Sequence, residues 1–127
     1  MSMWTHIVAS IDVDTFKESH TIKEDVEKML ENAPKITGSE RDADVFVNVL
    51  SGYTITNYDE NDKMEEFQTR VVITVIGDLR DRTKDQTEKE WNDFKNFIGI
   101  EPEFYSDDRE GLNLEIRNCA YKIWGDE

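Results

Sequence analysis

Alternation of apolar and polar residues opens the chain. From Thr5 to Val13, Ile7, Ala9, Ile11 and Val13 fall on one side, while Trp4, His6, Val8, Ser10 and Asp12 fall on the other. That period of two predicts a half-buried strand. The period then lengthens. Ile22, Val26, Met29, Leu30 and Ala33 recur at helical spacing, Thr21 and Glu24 are placed for a capping box, and Pro34 supplies a stop. Gly38 to Asp42 reads as a loop, and Val45–Leu50 as a strand that a break at Gly52 separates from an extension through Thr56. The charged stretch Asn57–Glu66 is expected to form a hairpin tip, Phe67–Ile76 to return as a central strand, and Asp78–Asp81 to turn.

A second helix is predicted from about Lys84 to Ile98. Thr83 and Gln86 are spaced for its capping box, Trp91, Phe94, Phe97 and Ile98 share one face, and Gly99 ends it. Leu112, Leu114 and Ile116 then alternate as a last strand. The parity slips near Asn118 before Cys119, Tyr121 and Ile123 resume it, which a bulge or a second short strand would explain. Strand, helix, strand, strand, helix, strand is the order of a split βαβ unit. The expected fold is therefore one α+β domain over residues 3–127: a ferredoxin-like β-α-β-β-α-β sandwich. Its antiparallel sheet of four strands would run in the order 4-1-3-2, with two helices on one face.

Composition changes the picture chiefly through charge. The 127 residues carry a formal charge of −14, with 29 acidic and 15 basic side chains. Such a field repels phosphate backbones and anionic lipid, and attracts basic surfaces. No nucleic-acid or membrane partner is expected. The single cysteine, Cys119, has no partner for an internal disulfide, and no Cys/His cluster has metal-ligand spacing. Neither a signal-peptide pattern nor a long apolar run is present, so a cytoplasmic location is expected, with no cofactor.

The expected topology brings distant residues to one end of the sheet. Trp4 and His6 begin the first strand, Gly38, Ser39 and Glu40 precede the second, and Gly77, Asp78, Leu79 and Arg80 close the third. Trp4, His6, Ser39, Glu40, Asp78 and Arg80 thus form a candidate site for a partner or an anionic ligand. Arg80 would clamp a phosphate or carboxylate, Trp4 would stack a ring, and the second helix would aim its N–H groups at the anion. The plainer alternative leaves Trp4 packed, Gly38 and Gly77 as turn residues and Arg80 paired with Asp78 or Asp81. His6 lacks an accompanying nucleophile or oxyanion motif, so no catalytic residue is assigned.

At the opposite end, Asp12 and Asp14 project to one side, near a hairpin carrying Asp59, Glu60, Asp62, Glu65 and Glu66. Polymerase palms and nucleotide cyclases, which share this fold class, hold two Mg²⁺ on carboxylates so placed. Here only Lys17 and Lys63 are near to neutralise a triphosphate. A solvated acidic face is the simpler reading, and no metal site is expected.

The sheet face turned away from the helices is expected to carry Trp4, Val8, Phe46, Leu50, Val72 and Ile76, with His6, Ser10, Asn48, Arg70 and Thr74 among them. That is too apolar for a surface facing water. A homodimer closed through this open face would cover it. Alternatively, the Tyr121–Trp124 segment would fold over it.

Met3-Trp4-Thr5-His6, Gly38-Ser39-Glu40 and Gly77-Asp78-Leu79-Arg80-Asp81 carry a resemblance. The chain looks like a loose group of uncharacterised small bacteriophage and prophage proteins. These open Met-Trp-Thr-His and carry a Gly-Asp-Leu-Arg-Asp element late in the middle strand. The resemblance implies a phage origin and a start at Met3, but names no ligand. The leading expectation is a non-enzymatic phage accessory protein that binds a basic surface on a host protein, for example as an inhibitor of a defence system. A binder of small anions at the strand-end cluster and a metal-dependent enzyme at the acidic end are the alternatives.

Overall fold

Ile7, Ala9, Ile11 and Val13 all lie in the core, each at most 3% exposed, so the first strand buries the side that its alternation marks. The computed structural model describes residues 3–15, 22–50, 53–58, 63–99 and 114–125. In chain order these form β1 (Trp4–Thr15), α1 (Ile22–Leu30), β2 (Asp44–Val49), β3 (Tyr53–Tyr58), β4 (Lys63–Arg80), α2 (Lys84–Gly99) and β5 (Leu114–Gly125). The sheet runs β2-β4-β1-β5, and all its pairings are antiparallel. β3 continues along the flank of β4 that β2 occupies, pairing Tyr53 to Tyr58 with Gln68 to Lys63. With β2 and β3 taken as one interrupted strand, this is the ferredoxin-like α+β sandwich, in the 4-1-3-2 order expected.

Both helices contribute to a single core. Val26 and Met29 of α1, and Trp91, Phe94 and Ile98 of α2, join Ile73, Val75 and Leu79 of β4 behind the sheet. α2 starts on a reciprocal capping box. The Thr83 amide donates to Gln86 Oε1 at 2.9 Å, and the Gln86 amide donates to Thr83 Oγ1 at 3.1 Å. Each bond satisfies a donor that the first helical turn would otherwise leave unpaired. The matching box expected at Thr21 lies outside the described residues.

Element boundaries differ from the pattern reading at three places. α1 ends at Leu30, and its last turn tightens, with Asn32 donating to the Met29 carbonyl at 3.2 Å and Ala33 to that of Leu30 at 3.1 Å. Those shorter bonds still deliver Ala33 into the core, which is why it kept helical spacing. Asp78 to Arg80 belong to β4 rather than to a turn, because β1 continues the ladder opposite them through Trp4↔Arg80. The reversal rests on Asp81 alone, at φ 59°, a left-handed conformation that aspartate tolerates better than most residues. The hairpin is also longer than its charged sequence suggests, since Asn57–Tyr58 and Lys63–Glu66 are paired strand.

The slip in the last strand is a bulge. Asp12 faces Asn118 while the next residue, Val13, faces Ile116, so Arg117 is the extra residue. Among the described residues β5 is thus an outer strand beside β1, and Tyr121–Trp124 lies within it rather than folding over the sheet. No described helix is long and apolar enough to cross a membrane.

Candidate functional site

Strand register does assemble the end predicted from sequence. Trp4 stands opposite Arg80 and His6 opposite Asp78 in the β1–β4 ladder, with His6 also opposite Trp124 of β5. The loop ahead of β2 closes on the same end, where the Ser39 amide donates to the Arg80 carbonyl at 3.0 Å. Gly38 permits that approach: a Cβ there would stand 2.5 Å from the Arg41 carbonyl oxygen and 3.2 Å from the Arg80 nitrogen. The Asp81 amide donates to the Met3 carbonyl at 2.7 Å, tying the chain start to the turn.

The polar side chains at this end bond to one another. His6 Nδ1 lies 2.6 Å from Asp78 Oδ1, and Arg80 Nη1 donates to Glu40 Oε1. Ser39 Oγ donates to Asp81 Oδ2 at 3.0 Å, while the His6 ring leans against Trp124 with centroids 5.3 Å apart. Arg80 therefore meets Glu40, rather than Asp78 or Asp81. A carboxylate already occupies the guanidinium that an anion would use, and the capping box engages two amides at the start of α2. An incoming phosphate would have to displace Glu40, losing one charge-assisted bond to make another.

Sequence pattern gave no warning of a second network at this end. The carboxylate of Glu90 on α2 accepts from the Thr37 amide at 2.8 Å and from Thr37 Oγ1 at 2.7 Å. Arg82 Nε donates to Thr37 Oγ1 at 3.3 Å, and the buried Thr5 hydroxyl donates to the Arg82 carbonyl at 2.6 Å. These bonds fasten the loop, α2 and β1 together.

At the other end, Asp12 and Asp14 are both held by arginines. Arg70 Nε and Nη2 clamp Asp12 at 2.8 and 2.5 Å, and Arg117, the bulge residue, reaches Asp14 at 3.4 Å. Asp14 is buried, which makes the opposing charge necessary. Asp59, Glu60 and Asp62 lie outside the described residues, as does Lys17. Among the described residues no group of three or more His, Cys, Asp or Glu is placed to hold a metal ion.

Hydrogen bonds from Arg70 hold the Asp12 carboxyl below its usual range, overcoming the opposing effect of burial. A depressed folded value means that the unfolded chain binds the proton more tightly. The stabilisation is then complete above the ordinary carboxylate value of about 4 and is lost as pH falls through the lower folded value. With Arg70 half exposed, the pair contributes about 1 kcal/mol. Arg70→Met is expected to flatten the loss of stability below about pH 4, read from urea midpoints across pH. An unchanged acid slope would disprove the coupling. Burial pushes the Cys119 thiol upward, so it stays protonated near neutrality.

The open sheet face is the third feature. Phe46, Val8, Ile76, Leu50 and Trp124 are 50, 48, 46, 42 and 38% exposed, although they stand on strand positions that alternate with the core. Val8 lies beside Ile76, and Phe46 sits one register row away, so the apolar positions are contiguous. Asp12 and Arg70 pair at one end of this face and His6 meets Asp78 at the other. In the row of Val8 and Ile76, Asp44 accepts from Arg41 at 2.6 Å and the Lys122 ammonium lies 5.3 Å over the Trp124 ring. Val8, Phe46 and Ile76 thus form an apolar patch set among Ser10, Asn48 and Thr74. Comparison with protein families, with curated proteins and with solved structures finds no match for this chain.

Proposed function

We propose that the chain is a non-enzymatic binding protein, a bacteriophage accessory protein that docks on a basic surface of a host protein and works as a homodimer closed through its open sheet face. One observation carries the reading: a contiguous apolar face with Val8, Phe46 and Ile76 each close to half exposed. A surface of that kind normally marks a contact. Four strands about 4.8 Å apart, over eight or nine residues at about 3.4 Å each, span about 500 Å² in projection, and side-chain relief brings that near the 800 Å² per partner of an ordinary interface. The paired charges at its ends leave little to repel a second copy, despite the formal charge of −14. That overall charge supports the basic partner. The resemblance of Met3-Trp4-Thr5-His6 and Gly77-Asp78-Leu79-Arg80-Asp81 to small phage proteins suggests the origin. The ion pair between Arg80 and Glu40 weighs against the small-anion reading.

Sedimentation equilibrium tests the assembly. The wild-type chain is expected to dimerise, and Phe46→Glu with Ile76→Glu is expected to weaken the dimer by about 30-fold or more, since both carboxylates would be buried unpaired. A wild-type monomer at about 100 µM, or a double variant that dimerises equally well, would overturn the dimer. For the partner, the complex with a captured and identified host protein should weaken steeply with salt. Salt-independent binding would remove the electrostatic basis of the reading.

A further inference from the structure

Among the described residues β2 is an outer strand of the sheet, bonded to β4 on one side only. The Leu50 amide donates to the Arg70 carbonyl at 2.8 Å, so the residues of its parity, Asp44, Phe46 and Asn48, turn their backbone groups toward β4. The N–H and C=O groups of Val45, Val47 and Val49 consequently point outward. Just ahead of the strand the outward Ala43 amide is taken by the Ile36 carbonyl at 2.8 Å, but among the described residues no backbone group bonds the three valines from that side.

A groove of about 380 Å³ runs beside this edge, between β2 and the end of α1. Leu30, Ala33, Ile36, Val45, Val47 and Phe94 line it with apolar surface. Glu27, Glu31 and Asp42 stand around it with the cation Lys35, while Asp44 beside them is already bonded by Arg41 at 2.6 Å. Open backbone, an apolar trough and an acidic rim thus adjoin one another.

We propose that the β2 edge and this groove bind an extended, basic segment of a partner protein, which joins the sheet as an added strand. Its backbone would bond to the outward groups of Val45, Val47 and Val49, an apolar side chain would enter the groove, and lysine or arginine would face Glu27, Glu31 and Asp42. Strand addition draws affinity from the backbone and specificity from alternate side chains. The three outward valines span a segment of about five or six residues. Charge selects the occupant: pairing two copies edge to edge would bring one acidic rim against another, whereas a basic segment neutralises it. The inference rests on the protein-binding reading above, and gives the basic partner a place and a conformation.

The test uses a fluorescein-labelled peptide alternating lysine with valine and threonine, and an otherwise identical glutamate peptide, read by anisotropy. The lysine peptide is expected to bind and the glutamate peptide not to bind. Val45→Pro removes one outward donor that the fold does not use, which an edge strand tolerates, and should weaken binding about tenfold or more. Glu31→Lys should do the same through charge without touching the edge. Glu115→Lys, with the same change in charge on the far strand β5, should leave binding within about twofold. Equal binding by wild type, Val45→Pro and Glu31→Lys would overturn the edge site, as would no binding of the lysine peptide. Host-partner capture that persists in a folded Val45→Pro variant would sink this site alone; capture absent from wild type would sink the protein-binding reading itself.

Discussion

Trp91→Ala is expected to cost about 3–5 kcal/mol, a large share of the 5–15 kcal/mol typical of a whole domain. Trp91 is fully buried, with its ring centroid 6.2 Å from that of Phe94 and 5.5 Å from that of Tyr121. Truncation would open a cavity where α2 meets β5. Trp91→Phe should be much milder, under about 2 kcal/mol. The indole Nε1 is buried with no hydrogen-bond partner among the described residues, so phenylalanine removes a donor that is costly to leave unmet. Urea unfolding followed by circular dichroism compares the two variants. Equal losses would show that the indole N–H is satisfied in solution.

Gly77→Val should cost about 2–3 kcal/mol through overpacking, against about 1–2 kcal/mol for Gly77→Ala. Gly77 sits on the helix-side parity of β4, opposite Ile7. A Cβ there would stand 2.8 Å from the Cβ and 2.9 Å from the Cα of Ala43, closer than real atoms come. Glycine is therefore needed for the loop ahead of β2 to lie against β4. Adding Ala43→Gly to Gly77→Ala should restore part of the loss, because it removes one of the two clashing atoms. A double-mutant cycle measures that coupling, and simple additivity would argue against the clash.

The fold was legible because its signals were local and agreed. Strict alternation in β1, the spacing of Trp91, Phe94, Phe97 and Ile98, and the Thr83–Gln86 box each needed only a few neighbouring residues. Even the bulge at Arg117 showed as a slip in parity. What escaped depended on distant partners. Asp78 to Arg80 look like a turn by composition, but the ladder to Trp4, Thr5 and His6 holds them extended. The candidate site was legible as a place and not as a chemistry. Topology alone brought His6 to Asp78 and the Ser39 loop to Arg80. That Glu40 would take the arginine depends on how the loop closes over Gly38, which no local pattern encodes. The opening of β2 beside α1 escaped for the same reason, since a strand edge exists only once the sheet is assembled.

β1 lies between β4 and β5, and its two ladders join Thr5 to Leu79 on one side and to Gly125 on the other. Nearly the whole chain thus separates the residues that must meet around the first strand. Such wide separations make loop closure the slow step, placing folding among topologies that take milliseconds to seconds. On the ribosome, β1 would stay open along one side until β5 emerged.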